Sequence, residues 1–152
     1  MNVARQLSHA RWSVPLAVAG ASLAVAATAV SASQRPADRR PDAGKQHVAA
    51  TLREFAVRPA HHTVAAGQVT FVVHNAGHRV HEMVILRTDA DPDDLPRHGN
   101  RAREGGKVDE VENVRPGSTK VLTVHLKPGR YVLICNIAGH YAAGMHAPLR
   151  VT

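Results

Sequence analysis

Aromatic residues are nearly missing from this sequence, with two Phe, two Tyr and one Trp making up 3% of 152 residues. A core of stacked rings is thereby excluded. The interior has to be filled by Val, Leu, Ile and Ala, and β-branched Val favours strands. Cysteine is scarcer still. The single thiol, Cys135, cannot close an internal disulfide, so no covalent framework holds the fold and the thiol itself calls for a purpose. The length is too small for two ordinary domains, and one compact domain with an appendage is expected.

The charge lacks organisation. The net charge is +7, but residues 1–45 carry six cations against two acids, and the rest of the chain mixes 13 Lys/Arg with 10 Asp/Glu. That is an ordinary solvated surface and not the stripe needed to track phosphates, so nucleic acid is not expected as a partner.

Long apolar runs are lacking too, with one exception. After Arg5 and Arg11, Val14 to Val30 is uncharged and rich in Ala, Val and Leu, and Val30-Ser31-Ala32 supplies small residues at its end. This is the pattern of an export signal. The run is somewhat short against the roughly 20 residues of a membrane span, and Pro15 and Gly20 weaken it as a helix. Residues 1–32 are therefore expected to be a signal peptide or an N-terminal membrane anchor, with cleavage favoured. The expected location is the periplasm or the extracytoplasmic membrane face. Residues 33–46 mix Pro36, Pro41, Gly44 and charges with hardly any apolar side chains, which predicts a disordered linker. The folded domain is then 47–152.

In that domain short apolar runs alternate with turns at Ala66-Gly67, Asn75-Ala76-Gly77, Arg115-Pro116-Gly117 and Lys127-Pro128-Gly129. The texture predicts an all-β sandwich, with strands near 50–58, 68–74, 80–87, 108–114, 118–126, 130–136 and 147–152. A polar connection from Thr88 to Lys107 interrupts the pattern, and Asp91-Pro92-Asp93-Asp94 within it suits one helical turn.

Strand alternation sorts the histidines. In Val80-His81-Glu82-Met83-Val84-Ile85 the Glu82 parity belongs outside, which sends His81, Met83 and Ile85 inward. The same reasoning sends His74 and His125 towards solvent, although Lys120 breaks the pattern of the second strand. His61 and His62 are read as surface residues. A lone inward histidine is more often a hydrogen-bonded core residue than a ligand. His81 by itself proves nothing.

The stretch from Tyr131 to Met145 carries a thiol, an imidazole and a thioether at even spacing, Cys135-x4-His140-x4-Met145. Cys135 ends an apolar strand, and Gly139, Gly144 and the alanines between them let a loop curl so that the three side chains converge. Thiolate and thioether are soft donors, imidazole is intermediate, and together they suit both oxidation states of copper. A trigonal His2Cys set with a weak axial Met is the arrangement used for electron transfer, and His81 supplies the missing histidine. The expected cofactor is one copper ion cycling between Cu(I) and Cu(II), with His81, Cys135, His140 and Met145 as ligands. His146, beside Met145, is a rival for that last position.

On these residues the sequence resembles the cupredoxin, or type 1 blue-copper, family, most of all its auracyanin, rusticyanin, sulfocyanin and plastocyanin-like members. The resemblance covers about residues 48–152 and implies a Greek-key β-sandwich of about eight strands. In the family the first ligand is a His after an Asn/Gly turn, matched by Asn75-Ala76-Gly77 leading to His81. The other three lie on the last loop, matched by Cys135, His140 and Met145. Glu82 departs from the pattern, since many relatives carry Asn beside the first His. Glu82 and Asn136 are the candidates for hydrogen bonds that join the ligand loop to its neighbour and tune the metal.

The function so implied is an exported one-electron carrier working by outer-sphere transfer, not an enzyme and without a small-molecule substrate. A redox partner protein would dock on the small residues around His140, and a monomer, with or without a membrane tether, is expected. Enzymes built on such copper sites need histidines beside the cysteine, and Cys135 has Ile134 and Asn136. The rival reading is an extracytoplasmic copper-binding protein for delivery, storage or sensing.

Overall fold

The computed structural model describes residues 46–152. The expectations for residues 1–32, and for the linker up to 45, lie outside them. Among the described residues no helix is long and apolar enough to cross a membrane.

The chain forms β1 (Gln46–Arg53), β2 (Ala56–Pro59), β3 (Thr63–Val64), β4 (Gly67–Asn75), β5 (His81–Arg87), β6 (Arg97–His98), β7 (Arg101–Ala102), β8 (Lys107–Val114), β9 (Thr119–Leu126), β10 (Gly129–Ile134) and β11 (His146–Val151). Eight of these have four residues or more, as the resemblance implied, and the other three are two-residue pieces. The expected single strand at 50–58 is a hairpin instead. β1 turns back at Glu54-Phe55 and pairs antiparallel with β2, Ala50 opposite Pro59.

Two large sheets result, in the orders β2-β1-β4-β9 and β3-β11-β10-β5-β8, which face each other as a β-sandwich, and β6 and β7 form a separate two-stranded sheet. Most pairs are antiparallel, but β1 runs parallel to β4 and β3 parallel to β11. The packed face follows the alternation of each strand: Val48, Ala50 and Leu52 from β1, Val69, Phe71 and Val73 from β4, Met83 and Ile85 from β5, Leu133 from β10, Leu149 from β11. Fully burying an aliphatic side chain of this size contributes about 1.5–3 kcal/mol, so the alternation is the main source of stability. His74 bonds Thr119 at the surface and His125 is exposed, as its strand parity predicts.

The second sheet is covered on its other face as well. Val84, Leu86, Val132 and Ile134 pack there against Leu95, Ala102 and Tyr141. Leu95 and Ala102 come from the 88–106 connection, which holds a 3-10 turn at Pro92–Asp94 and the small β6–β7 pair. The helical turn sits where the Asp-Pro-Asp-Asp run suggested, although Asp91 makes no capping bond with its side chain.

Candidate metal centre

His81 opens β5, and its position is set by the turn before it. The Asn75 side-chain amide donates to the carbonyls of Arg79 and Val114, both at 2.7 Å, and its Oδ1 accepts from the Gly77 N–H at 2.8 Å. These bonds fix the chain between β4 and β5. His81 is fully buried, as its parity predicts.

Cys135 follows β10 directly, and Met145 precedes β11 directly. The two are joined where the ladder ends, by Cys135 N–H to the Met145 carbonyl at 3.0 Å. Between them the chain coils through short turns, with His140 N–H bonded to Ile137 O, and Met145 N–H to His140 O. Gly139 and Gly144 take φ of 84° and 95°, which a side chain would oppose. Cys135 and Met145 are fully buried, and His140 is 6% exposed.

Three donor atoms meet inside this loop. His140 Nδ1 lies 3.3 Å from His81 Nδ1 and 3.3 Å from Cys135 Sγ, and Cys135 Sγ lies 3.8 Å from His81 Nδ1. A point equidistant from all three lies about 2 Å from each, the length of a metal–nitrogen bond. The residues therefore fit a metal ion, and two imidazoles with one thiolate suit copper. His146, the rival to Met145, does not join them: its Nε2 lies 3.2 Å from Asp93 Oδ1 and its ring tilts against Tyr141.

The electrostatics follow from burial. Desolvation raises the Cys135 thiol above its ordinary value, against the pull of the Glu82 and Ile137 backbone N–H groups that face the sulfur. Desolvation likewise lowers His81 and His140, with Glu54 opposing it in both. Thiol and imidazoles are thus held neutral: the imidazoles have lone pairs to offer as they stand, and the thiol has a proton to give up to a metal.

Around the donors, Asn136 anchors the loop to the 88–106 connection. Its Oδ1 accepts from Ala102 N–H at 2.8 Å, its amide donates to Ala102 O and Glu104, and its carbonyl accepts from Arg101. Tyr141 adds a second anchor: its hydroxyl accepts from Leu95 N–H and donates to Pro92 O, both at 2.8 Å. Glu82 is half-buried, and its carboxyl is raised by desolvation against the pull of Arg101 and the Asn136 N–H.

The sequence reasoning missed Glu54 and Phe55. Glu54 Oε1 lies 3.2 Å from His81 Nε2, and the Phe55 ring meets His140 edge-on at 5.2 Å. Both sit at the tip of the β1–β2 hairpin, inside the 50–58 span that reads as one strand, and no spacing marks them.

The profile of the cupredoxin-like domain matches residues 20–145. This chain belongs to the cupredoxin-like family. Solved cupredoxins agree with its fold. Auracyanin from the photosynthetic bacterium Roseiflexus castenholzii is 20% identical with a TM-score of 0.52, over 71% of this chain and 96% of that one. Rusticyanin from Thiobacillus ferrooxidans is 19% identical with a TM-score of 0.54, over 71% and 77%. Among curated proteins, the iron uptake system component EfeO of Yersinia pestis is 29% identical over 113 residues. That match takes in 69% of this cupredoxin-like chain but only 26% of the relative's length.

Proposed function

We propose that this chain is a one-electron carrier that holds a single copper ion between His81, Cys135, His140 and Met145. The observation that carries the reading is the buried trio of two Nδ1 atoms and one Sγ, which lie 3.3–3.8 Å from one another. Copper, when bound, supplies a reversible one-electron couple. The chain's own residues do the remaining work. Met145 stands at the loop's base, fully buried and backbone-bonded to Cys135, and would offer its thioether to the ion. The N–H groups of Glu82 and Ile137 steady the thiolate. Asn136 and Tyr141 hold the loop from behind, so the donors keep one geometry in both oxidation states.

His140 alone of the donors reaches the surface, and exposed Phe55, Val80, Ala142, Ala143 and Gly144 lie on the nearby loops. A redox partner protein docks there through a small apolar contact suited to rapid release. Such a carrier needs no substrate pocket and performs no catalysis of its own. With residues 1–32 as signal or anchor and the residues up to 45 as linker, the domain that begins with β1 at Gln46 works outside the cytoplasm.

The likeness to EfeO favours a second reading, in which the domain handles a metal for an uptake system as a delivery, storage or sensing module. A chelation experiment separates the two. The copper-loaded chain is reduced and reoxidised repeatedly in the presence of a Cu(I) chelator. A carrier returns its full Cu(II) signal over many cycles, whereas surrender of Cu(I) to the chelator on first reduction contradicts the carrier and leaves metal handling.

A further inference from the structure

We propose that Glu54 is a positioning residue for the metal: its carboxylate fixes the tautomer of His81 and biases the bound ion towards its higher oxidation state. This rests on the copper reading above. Glu54 Oε1 lies 3.2 Å from His81 Nε2, and it also accepts from the backbone N–H groups of His78 at 2.8 Å and Arg79 at 2.6 Å. The carboxylate thus reaches from the β1–β2 tip across the turn that leads into β5. A Cβ at Gly77 would come within 2.5 Å of Glu54 Oε2 and 2.8 Å of Oε1, so the glycine there makes room for the carboxylate.

An ionised carboxylate only accepts hydrogen bonds, so the imidazole nitrogen facing it carries the hydrogen. With Nε2 protonated, Nδ1 of the neutral ring offers its lone pair, and Nδ1 is the atom that faces His140 and Cys135. The ligand atom is therefore chosen by the protein before any metal arrives. A carboxylate bonded to a ligand imidazole also raises its basicity, and its negative charge stabilises the more positive oxidation state.

Glu54→Gln keeps the shape and an acceptor oxygen while removing the charge. In the copper-loaded full chain, the substitution is expected to leave the thiolate charge-transfer band in place. It should also shift the ratio of Cu(I) to Cu(II) affinity about tenfold towards Cu(I), a rise of about 59 mV in the one-electron potential. An unmoved potential overturns the charge bias. Loss of the band overturns it too, making Glu54 a structural strut.

Imidazole ¹⁵N NMR of the metal-free chain tests the tautomer independently. The expected result is His81 protonated at Nε2 and bare at Nδ1, with mixed tautomers in Glu54→Ala; protonation at Nδ1 in the unsubstituted chain overturns the assignment. Absence of a charge-transfer band in the unsubstituted chain ends the copper reading and the bias with it, while the NMR result still decides whether Glu54 controls His81.

Discussion

The two faces of the β3-β11-β10-β5-β8 sheet are buried by different means. One packs on the opposite sheet through alternating strand residues such as Met83, Ile85 and Leu133. The other is covered by the 88–106 connection, where regular structure is limited to a 3-10 turn and the β6–β7 pair, through Leu95, Ala102 and the ligand loop's own Tyr141. The first face is held by area and the second by a few directed bonds on Tyr141 and Asn136. The difference teaches that the donors and the anchors of their loop come from different sides: Cys135 and Met145 are part of the sandwich core, while Tyr141 and Asn136 tie the loop between them to the connection. The sandwich face makes the fold, and the connection holds the ligand loop in register with it.

That division can be broken from either side. Phe71→Ala, at a fully buried site on the sandwich face, is expected to cost about 3–5 kcal/mol, read from denaturant unfolding of the metal-free chain. The metal site should be lost only with the fold. Tyr141→Phe, on the other face, leaves the buried Leu95 N–H without its partner and should cost about 1–3 kcal/mol. The smaller change should nonetheless act on the centre, speeding copper release from a chain that is still folded. Equal copper release from the two variants under folding conditions would refute the division.

Protonation acts more gradually. In the metal-free protein burial lowers His81 and His140, so below the ordinary imidazole value near 6.5 the unfolded chain takes up protons that the folded rings refuse. Stability therefore falls as pH drops through that range. Cys135 is raised above 9.0, so above that pH the unfolded chain gives up a proton that the folded thiol keeps, and stability falls again. Unfolding free energy against pH should form a plateau between these limits; a curve still rising above pH 9 would contradict the buried thiol.

Much of the sandwich face was legible in the sequence, because period-two alternation and Gly/Pro turns are local signals. His81, Met83 and Ile85 point inward as the acid at Glu82 implied, and the Cys135-His140-Met145 spacing marked the loop by itself. The connection was not legible. Leu95 and Ala102 are isolated apolar residues in a polar stretch, and only the folded chain brings them to Tyr141. Glu54 was hidden for a related reason: its partner His81 lies 27 residues away, across a hairpin that reads as one strand. Val84 and Leu86, opposite in parity to His81, are buried only because the connection covers them.

The central claim is that Cys135 is a thiolate ligand to copper alongside two histidines. It is tested most directly by the visible and electron paramagnetic resonance spectra of the full chain loaded with Cu(II), beside those of Cys135→Ser. A strong thiolate-to-copper charge-transfer band that disappears in the variant is the predicted result. A pale protein whose weak absorption the substitution leaves unchanged would contradict it.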